Sequence, residues 1–289
     1  MQKFLTASLF GLICFLSGVF TQYVLPVGSL NKLMECEEIT VSSPTPKPEI
    51  QPNEVIVLSS KEQEIKSYAE KITVKVLSGQ NSGSGILIHR QGNSYQVVTN
   101  DHVLLFGRQD NSYKIITPDG KIYPAKVVNQ FNFEKYDLGL LQFESDSVYE
   151  VVSLSRLPSP AIGETVYAAG FPYEVDNSVK NSLTFTTGKV NLISDLSFRG
   201  GYKIGYTNDV KKGMSGGPLL NQQGQLIGIN GRHKYPAWGN PYIFEDGTVA
   251  SPEKKEEMSQ YSWAIPIETF LRLAGNFIIK NQPDLSQIN

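Results

Sequence analysis

Twelve short runs of β-branched, aromatic and aliphatic residues, separated by turn residues rather than by helical patterns, constrain this chain more than any other feature. The first six are Ile72–Leu77, Gly85–His89, Tyr95–Thr99, Lys114–Thr117, Lys121–Asn129 and Leu138–Phe143. The second six are Thr165–Ala169, Leu183–Ser194, Tyr202–Tyr206, Pro218–Leu220, Gln225–Asn230 and Tyr261–Ile265. Gly92-Asn93, Pro118-Asp119-Gly120 and Asn221-Gln222-Gln223-Gly224 punctuate them. Regular short strands without intervening helices indicate an all-β sandwich or barrels and exclude a parallel α/β sheet. Pro158 and Pro160 mark a connector between the two sets, so the economical fold is two six-stranded antiparallel barrels. Lys61–Glu70 reads as a short helix, and Pro266–Lys280 as a clear one, with Ile267, Phe270, Leu271, Ala274 and Phe277 mostly on one face.

Composition adds exclusions. Of 289 residues, 40% are hydrophobic and 19% charged, a mix that buries a core and rules out disorder throughout. A net charge of −2 argues against nucleic acid as a partner. Two cysteines, Cys14 and Cys36, cannot build a disulfide framework or a cysteine zinc site. No acidic or histidine cluster has metal-ligand spacing, and no Gly-rich phosphate loop runs from strand to helix, so no cofactor or metal is expected.

Ahead of the barrels, residues 4–27 form an apolar stretch behind Lys3, and 1–29 read as a signal peptide or signal anchor. Either form places the remainder outside the cytoplasm, in a bacterial periplasm or the exterior, with membrane contact through 4–27 if they are retained. Residues 30–60, with Pro44, Pro46, Pro48 and Pro52, read as an extended linker. The expected barrels then occupy 61–160 and 161–289.

The chemistry concentrates in Lys212-Gly213-Met214-Ser215-Gly216-Gly217-Pro218. Glycines around a serine leave its oxygen open to a carbonyl carbon and let backbone N–H groups converge on one point. A serine hydroxyl needs a base. Of the three histidines, His102 follows an apolar strand, in Thr99-Asn100-Asp101-His102-Val103, and suits the mouth of a barrel, whereas His89 reads as an ordinary strand residue. An orienting acid is best sought at Asp137, which opens the strand Leu138-Gly139-Leu140-Leu141.

These three segments resemble the trypsin-like serine peptidases, in the family's His, Asp, Ser order, and most closely bacterial HtrA-type peptidase domains. Ser82-Gly83-Ser84-Gly85, Tyr167-Ala168-Ala169-Gly170-Phe171-Pro172, Thr187-Gly188-Lys189-Val190 and Trp263-Ala264-Ile265-Pro266 agree with it. The resemblance implies two six-stranded barrels with His102 as general base, Asp137 as its orienter and Ser215 as nucleophile in the cleft between them. It also implies an oxyanion hole made by the N–H groups of Gly213 and Ser215, and protein or peptide substrates cleaved through an acyl-enzyme. With nine residues after the last helix, no PDZ module is expected. Met214 stands where animal members carry an aspartate, so ion-pair activation by a new N-terminus is not expected.

Specificity stays open between two readings. Asp209, six residues before Ser215, matches the pocket-floor position that selects Lys or Arg, although Lys211 and Lys212 lie beside it. Arg232 and His233 follow the strand that ends at Asn230 and usually walls that pocket, and these cations favour an acidic side chain. The long stretch His233–Gln260, with a short helix expected at Ser251–Met258, either caps the cleft or covers the outside of the barrel. Two other functions compete with the peptidase: a catalytically silent binding scaffold on the same fold, and a serine esterase built on Gly213-Met214-Ser215-Gly216-Gly217. The esterase needs an acid and then a histidine after the serine, and residues 216–232 contain no acid.

Overall fold

The computed structural model describes residues 58–131, 133–154, 160–173, 182–236 and 241–280. The expected signal segment, most of the expected linker and most of the Pro158 connector lie outside them. The chain enters through α1 (Ser60–Ile72), fixed at its start by a capping box. The Ser59 hydroxyl accepts from the Glu62 N–H (3.2 Å), and the Glu62 carboxylate accepts from the Ser59 N–H (3.0 Å). Ile65, Ala69 and Ile72 line the buried stripe of this helix.

The first barrel comprises β1 (Thr73–Ser78), β2 (Asn81–Gln91), β3 (Ser94–Thr99), β4 (Tyr113–Ile116), β5 (Ile122–Val127) and β6 (Gly139–Glu144). They pair in the order β1-β2-β3-β6-β5-β4, and β1 closes on β4. The second contains β7 (Thr165–Gly170), β8 (Thr184–Phe198), β9 (Tyr202–Tyr206), β10 (Pro218–Asn221), β11 (Leu226–Arg232) and β12 (Ser262–Pro266). Its order is β10-β11-β12-β9-β8-β7, closed by β10 on β7. Both sets are antiparallel, and each of the twelve expected strands is present within a few residues of its expected limits.

The consecutive apolar residues at the centres of the first-barrel strands, Ile86-Leu87-Ile88 in β2, Val97-Val98 in β3 and Leu140-Leu141 in β6, follow from two buried faces. Leu87, Val97 and Leu141 point into the first barrel with Val74, Val76, Tyr95, Ile115 and Phe143. Their neighbours Ile86, Ile88, Val98 and Leu140 point the other way, into a core shared with Tyr167, Ala169, Leu220, Ile229 and Ile265 of the second barrel. The second barrel's own interior holds Val166, Ala168, Val190, Ile204, Tyr206, Leu219 and Ile227.

Between β11 and β12 the chain forms α3 (Pro252–Ser259), and after β12 it ends in α4 (Ile267–Lys280). The intervening loop covers the outside of the second barrel. Tyr242, Ala250 and Met258 are buried against Phe198 and Trp263, and the Trp263 indole N–H donates to the Met258 carbonyl (3.0 Å). The Phe198 ring meets Trp263 edge-on at 4.8 Å between centroids. One element escaped the sequence reading: Asp101–Leu104 form a single helical turn, α2, followed by a 3₁₀ turn at Leu105–Gly107. Tertiary contacts fix it, since Val103 and Leu104 are buried and the Tyr113 hydroxyl donates to the Leu104 carbonyl (3.2 Å).

Candidate active site

His102 sits in α2, carried by the end of β3. Asn100 holds the preceding turn: its carbonyl accepts from the Val103 N–H (3.2 Å) and its side-chain amide donates to the Asp137 carbonyl (2.9 Å). Asp137 arrives immediately before β6. Its own N–H donates to the carbonyl of Gly200 (2.9 Å), in the turn joining β8 to β9, so the second barrel helps to fix the acid of the first. The two side chains meet. His102 Nδ1 lies 2.6 Å from Asp137 Oδ2, and the His102 N–H donates to Oδ1 (2.8 Å).

Burial alone would push the Asp137 carboxyl up. The hydrogen bond and charge of His102, the Tyr202 hydroxyl and the His102 N–H outweigh it and hold the carboxyl below its usual range. An ionised Asp137 accepts, so Nδ1 of His102 carries the proton and leaves Nε2 free as a base.

Ser215 stands on the loop between β9 and β10, where the four consecutive carbonyls of Lys212 to Ser215 are engaged. The Tyr173 N–H donates to the Lys212 carbonyl (2.7 Å), and the Ser84 hydroxyl donates to that of Gly213 (2.8 Å). The Gly217 N–H donates to the Met214 carbonyl (3.1 Å), and the Ser84 N–H to that of Ser215 (2.8 Å). In a trans peptide the C=O and the next N–H point in opposite directions. Tying back the carbonyls of Lys212 and Met214 therefore turns the N–H groups of Gly213 and Ser215 to the other side of the loop. Neither N–H has an acceptor among the described residues. Gly213 has φ of +95°, and a Cβ there would lie 2.4 Å from the Tyr173 nitrogen, so this turn demands glycine. Met214 is fully buried, its sulfur accepting from the Lys211 N–H at 3.3 Å.

The Ser215 hydroxyl donates to the carbonyl of Gly231 (3.3 Å), and no hydrogen bond joins it to His102 in this structure.

The four residues considered for specificity differ in their surroundings. Asn230 is fully buried; it accepts from the Tyr206 hydroxyl (2.7 Å) and donates to the carbonyls of Ala169 (3.2 Å) and Pro218 (3.0 Å). The Arg232 guanidinium lies over the Tyr202 ring at 4.1 Å and donates to the carbonyls of Pro241 and Arg199. Asp209 is exposed, as is His233, whose Nδ1 meets the Lys234 carbonyl at 2.8 Å. No hydrogen bond or ion pair joins any two of the four. His89 is buried in β2, where burial lowers its pKa. Among the described residues no group of three or more His, Cys, Asp or Glu is placed to hold a metal, and no helix is long and apolar enough to cross a membrane.

Two side chains of the site carried no assigned role in the sequence. Tyr202, on β9, donates its hydroxyl to Asp137 Oδ2. Ser84 accepts from the Phe171 N–H (2.8 Å) while donating to Gly213, so one buried hydroxyl joins the first barrel to the nucleophile loop. Ser84 lies in a segment that matched the family pattern; nothing in the sequence signalled Tyr202.

Two closed barrels with a histidine–carboxylate pair on one and a glycine-flanked serine on the other define a class, and comparison with known proteins agrees. Residues 83–229 match the trypsin-like peptidase domain family, and the chain belongs to it. It is 32% identical over 162 residues to serine protease HTRA1 of Xenopus tropicalis, covering 52% of this chain and 31% of that one. It is 31% identical over 152 residues to the serine protease Do-like HtrA of Bacillus subtilis (strain 168), covering 52% and 33%. The chain thus spans about a third of the length of these curated relatives. The solved serine endoprotease from Yersinia pestis shares the fold, with a TM-score of 0.54 at 21% identity over 77% of this chain and 68% of that one.

Proposed function

We propose that the protein is an exported serine endopeptidase that cleaves peptide bonds through an acyl-enzyme, with His102, Asp137 and Ser215 as its triad. The observation that carries this reading is the pairing of His102 Nδ1 with Asp137 Oδ2 at 2.6 Å, beside a serine loop whose Gly213 and Ser215 N–H groups have no acceptor. Rotation of Ser215 about χ1 moves its hydroxyl from the Gly231 carbonyl to another staggered position, where it gives its proton to His102 Nε2.

The oxygen then attacks the scissile carbonyl. The developing oxyanion takes the two N–H groups, which need no rearrangement because their loop is already tied back. His102 returns the proton to the leaving amine, and a water activated by the same imidazole releases the acid half. Asp137 keeps the Nδ1 proton in place and stabilises the imidazolium. Unfolded or extended polypeptide is the substrate class, and the apolar residues 4–27 direct the chain out of the cytoplasm.

A fluorophosphonate probe tests the mechanism. Labelling is expected at Ser215, absent in Ser215→Ala, and His102→Ala and Ser215→Ala each lose several orders of magnitude in turnover of an unfolded protein. A folded but unlabelled wild type is instead the silent scaffold, and turnover that survives either substitution sinks the triad.

A further inference from the structure

Gly231 lies at the crossing of the nucleophile and the acid. Its carbonyl receives the Ser215 hydroxyl, and the place where its side chain would start is already taken. A Cβ built there would lie 2.2 Å from the Tyr202 hydroxyl oxygen and 2.5 and 2.7 Å from two carbons of the ring. Tyr202 reaches across this gap, donating to Asp137 Oδ2. Its ring is fully buried, and the Arg232 guanidinium covers it at 4.1 Å, fixed in turn by the carbonyls of Pro241 and Arg199. A carboxylate buried beside an imidazole needs donors for both oxygens. Here the backbone N–H of His102 serves Oδ1, while Oδ2 is shared by His102 Nδ1 and the phenol.

We propose that Tyr202 is a positioning residue of the peptidase reaction, its hydroxyl fixing the rotation of the Asp137 carboxylate and so the orientation and tautomer of His102, with Gly231 leaving the space it needs. This rests on the serine peptidase reading. The phenol remains a donor throughout, because burial first, and then the Asp137 charge, raises its pKa well above the usual value. The groups around the carboxylate are few. His102 and Tyr202 touch it, and Arg232 and Tyr206 lie beyond Tyr202. Asp101 on α2 is paired with Arg108, and the neighbouring Tyr136 hydroxyl accepts from Arg272 (2.9 Å). Among the described residues, Tyr202 is thus the one side chain besides His102 that donates to the Asp137 carboxylate and disperses its charge. Without it more of that charge falls on the imidazole, the protonated imidazole is favoured, and the base is lost at a higher pH.

The test compares the full-length wild type with Tyr202→Phe, which keeps the buried ring and removes the hydroxyl. kcat and KM on an extended fluorogenic peptide, and the rate of fluorophosphonate labelling, are followed from about pH 5 to about pH 9. The expected result is a kcat lower by roughly tenfold, KM within about twofold, and an acidic limb displaced upward by about half a pH unit. Site-specific 3-fluorotyrosine at 202, a stronger donor of nearly the same shape, displaces that limb downward, and it decides the matter if Tyr202→Phe does not fold. A wild type that is never labelled at Ser215 refutes the peptidase reading. A labelled wild type whose kcat and acidic limb are shared by both variants refutes the role of Tyr202 alone. A purely structural Tyr202 alters the unfolding midpoint and leaves the limb in place.

Discussion

Ser84→Ala isolates what one hydroxyl contributes at the junction of the barrels. The residue is fully buried, and its backbone is anchored independently: its N–H donates to the Ser215 carbonyl (2.8 Å) and its carbonyl accepts from the Thr99 hydroxyl (2.7 Å). Alanine keeps both of these bonds. It removes the donor to the Gly213 carbonyl and the acceptor for the Phe171 N–H, each at 2.8 Å, and offers neither a substitute. A buried polar group left unpaired costs about 1–3 kcal/mol, so the pair costs about 2–6 kcal/mol, a large share of the roughly 5–15 kcal/mol that holds a domain together. The measurement is urea unfolding in a Ser215→Ala background, where the chains cannot cut one another. With a slope of about 2 kcal/mol per molar urea, the midpoint falls by about 1–3 M while the slope stays constant. A loss below about 0.3 M would show that the two backbone groups find other partners. The staple would then be incidental.

Gly213→Ala places a methyl group 2.4 Å from the Tyr173 nitrogen and 2.6 Å from the Phe171 oxygen, at φ of +95°. The peptide that carries the Gly213 N–H must turn, and kcat is expected to drop by about 10²–10³ with fluorophosphonate labelling slowed to match. Asp119, far from the site, governs acid stability. Partial burial opposes its ionisation, but Thr117, Lys121 and Tyr149 prevail and bring its pKa down to about 2. A lowered folded-state pKa gives stability that is complete above the ordinary carboxyl value of 3.8 and lost as pH falls through about 2. Because its side chain is 38% exposed, the contribution after screening is about 1 kcal/mol. Asp119→Asn is therefore expected to lower the urea midpoint at neutral pH and to converge on the wild type as pH falls from 3.8 through about 2, and a difference that persists unchanged across that range contradicts the assignment.

Strands were legible here because each carries its own signature. Runs such as Gly85–His89 and Leu138–Phe143 are apolar on both faces, since one side fills a barrel and the other the shared core. The glycine-flanked Ser215 and the segments around His102 and Asp137 are legible as local patterns, whereas bringing them together is what the family resemblance implies. The helical turn at Asp101 was not, because four residues hold no period, and packing of Val103 and Leu104 shapes it. Tyr202 looked like any strand aromatic. Its approach to Asp137 depends on the empty position at Gly231, on another strand, a relation between residues distant in sequence. The charged residues proposed for specificity show the converse. The sequence shows Arg232 only as a cation beyond the strand that ends at Asn230, and folding stacks it on Tyr202 and gives its N–H groups to two carbonyls.

Closure of both sheets bears on the company such a protein keeps. An open sheet presents a row of unsatisfied amide and carbonyl groups, a template on which misfolded chains grow into fibrils. Here β1 meets β4 and β10 meets β7, so neither sheet has a first or last strand to recruit a guest. Every strand of both barrels therefore has two neighbours, and another chain finds no edge to extend.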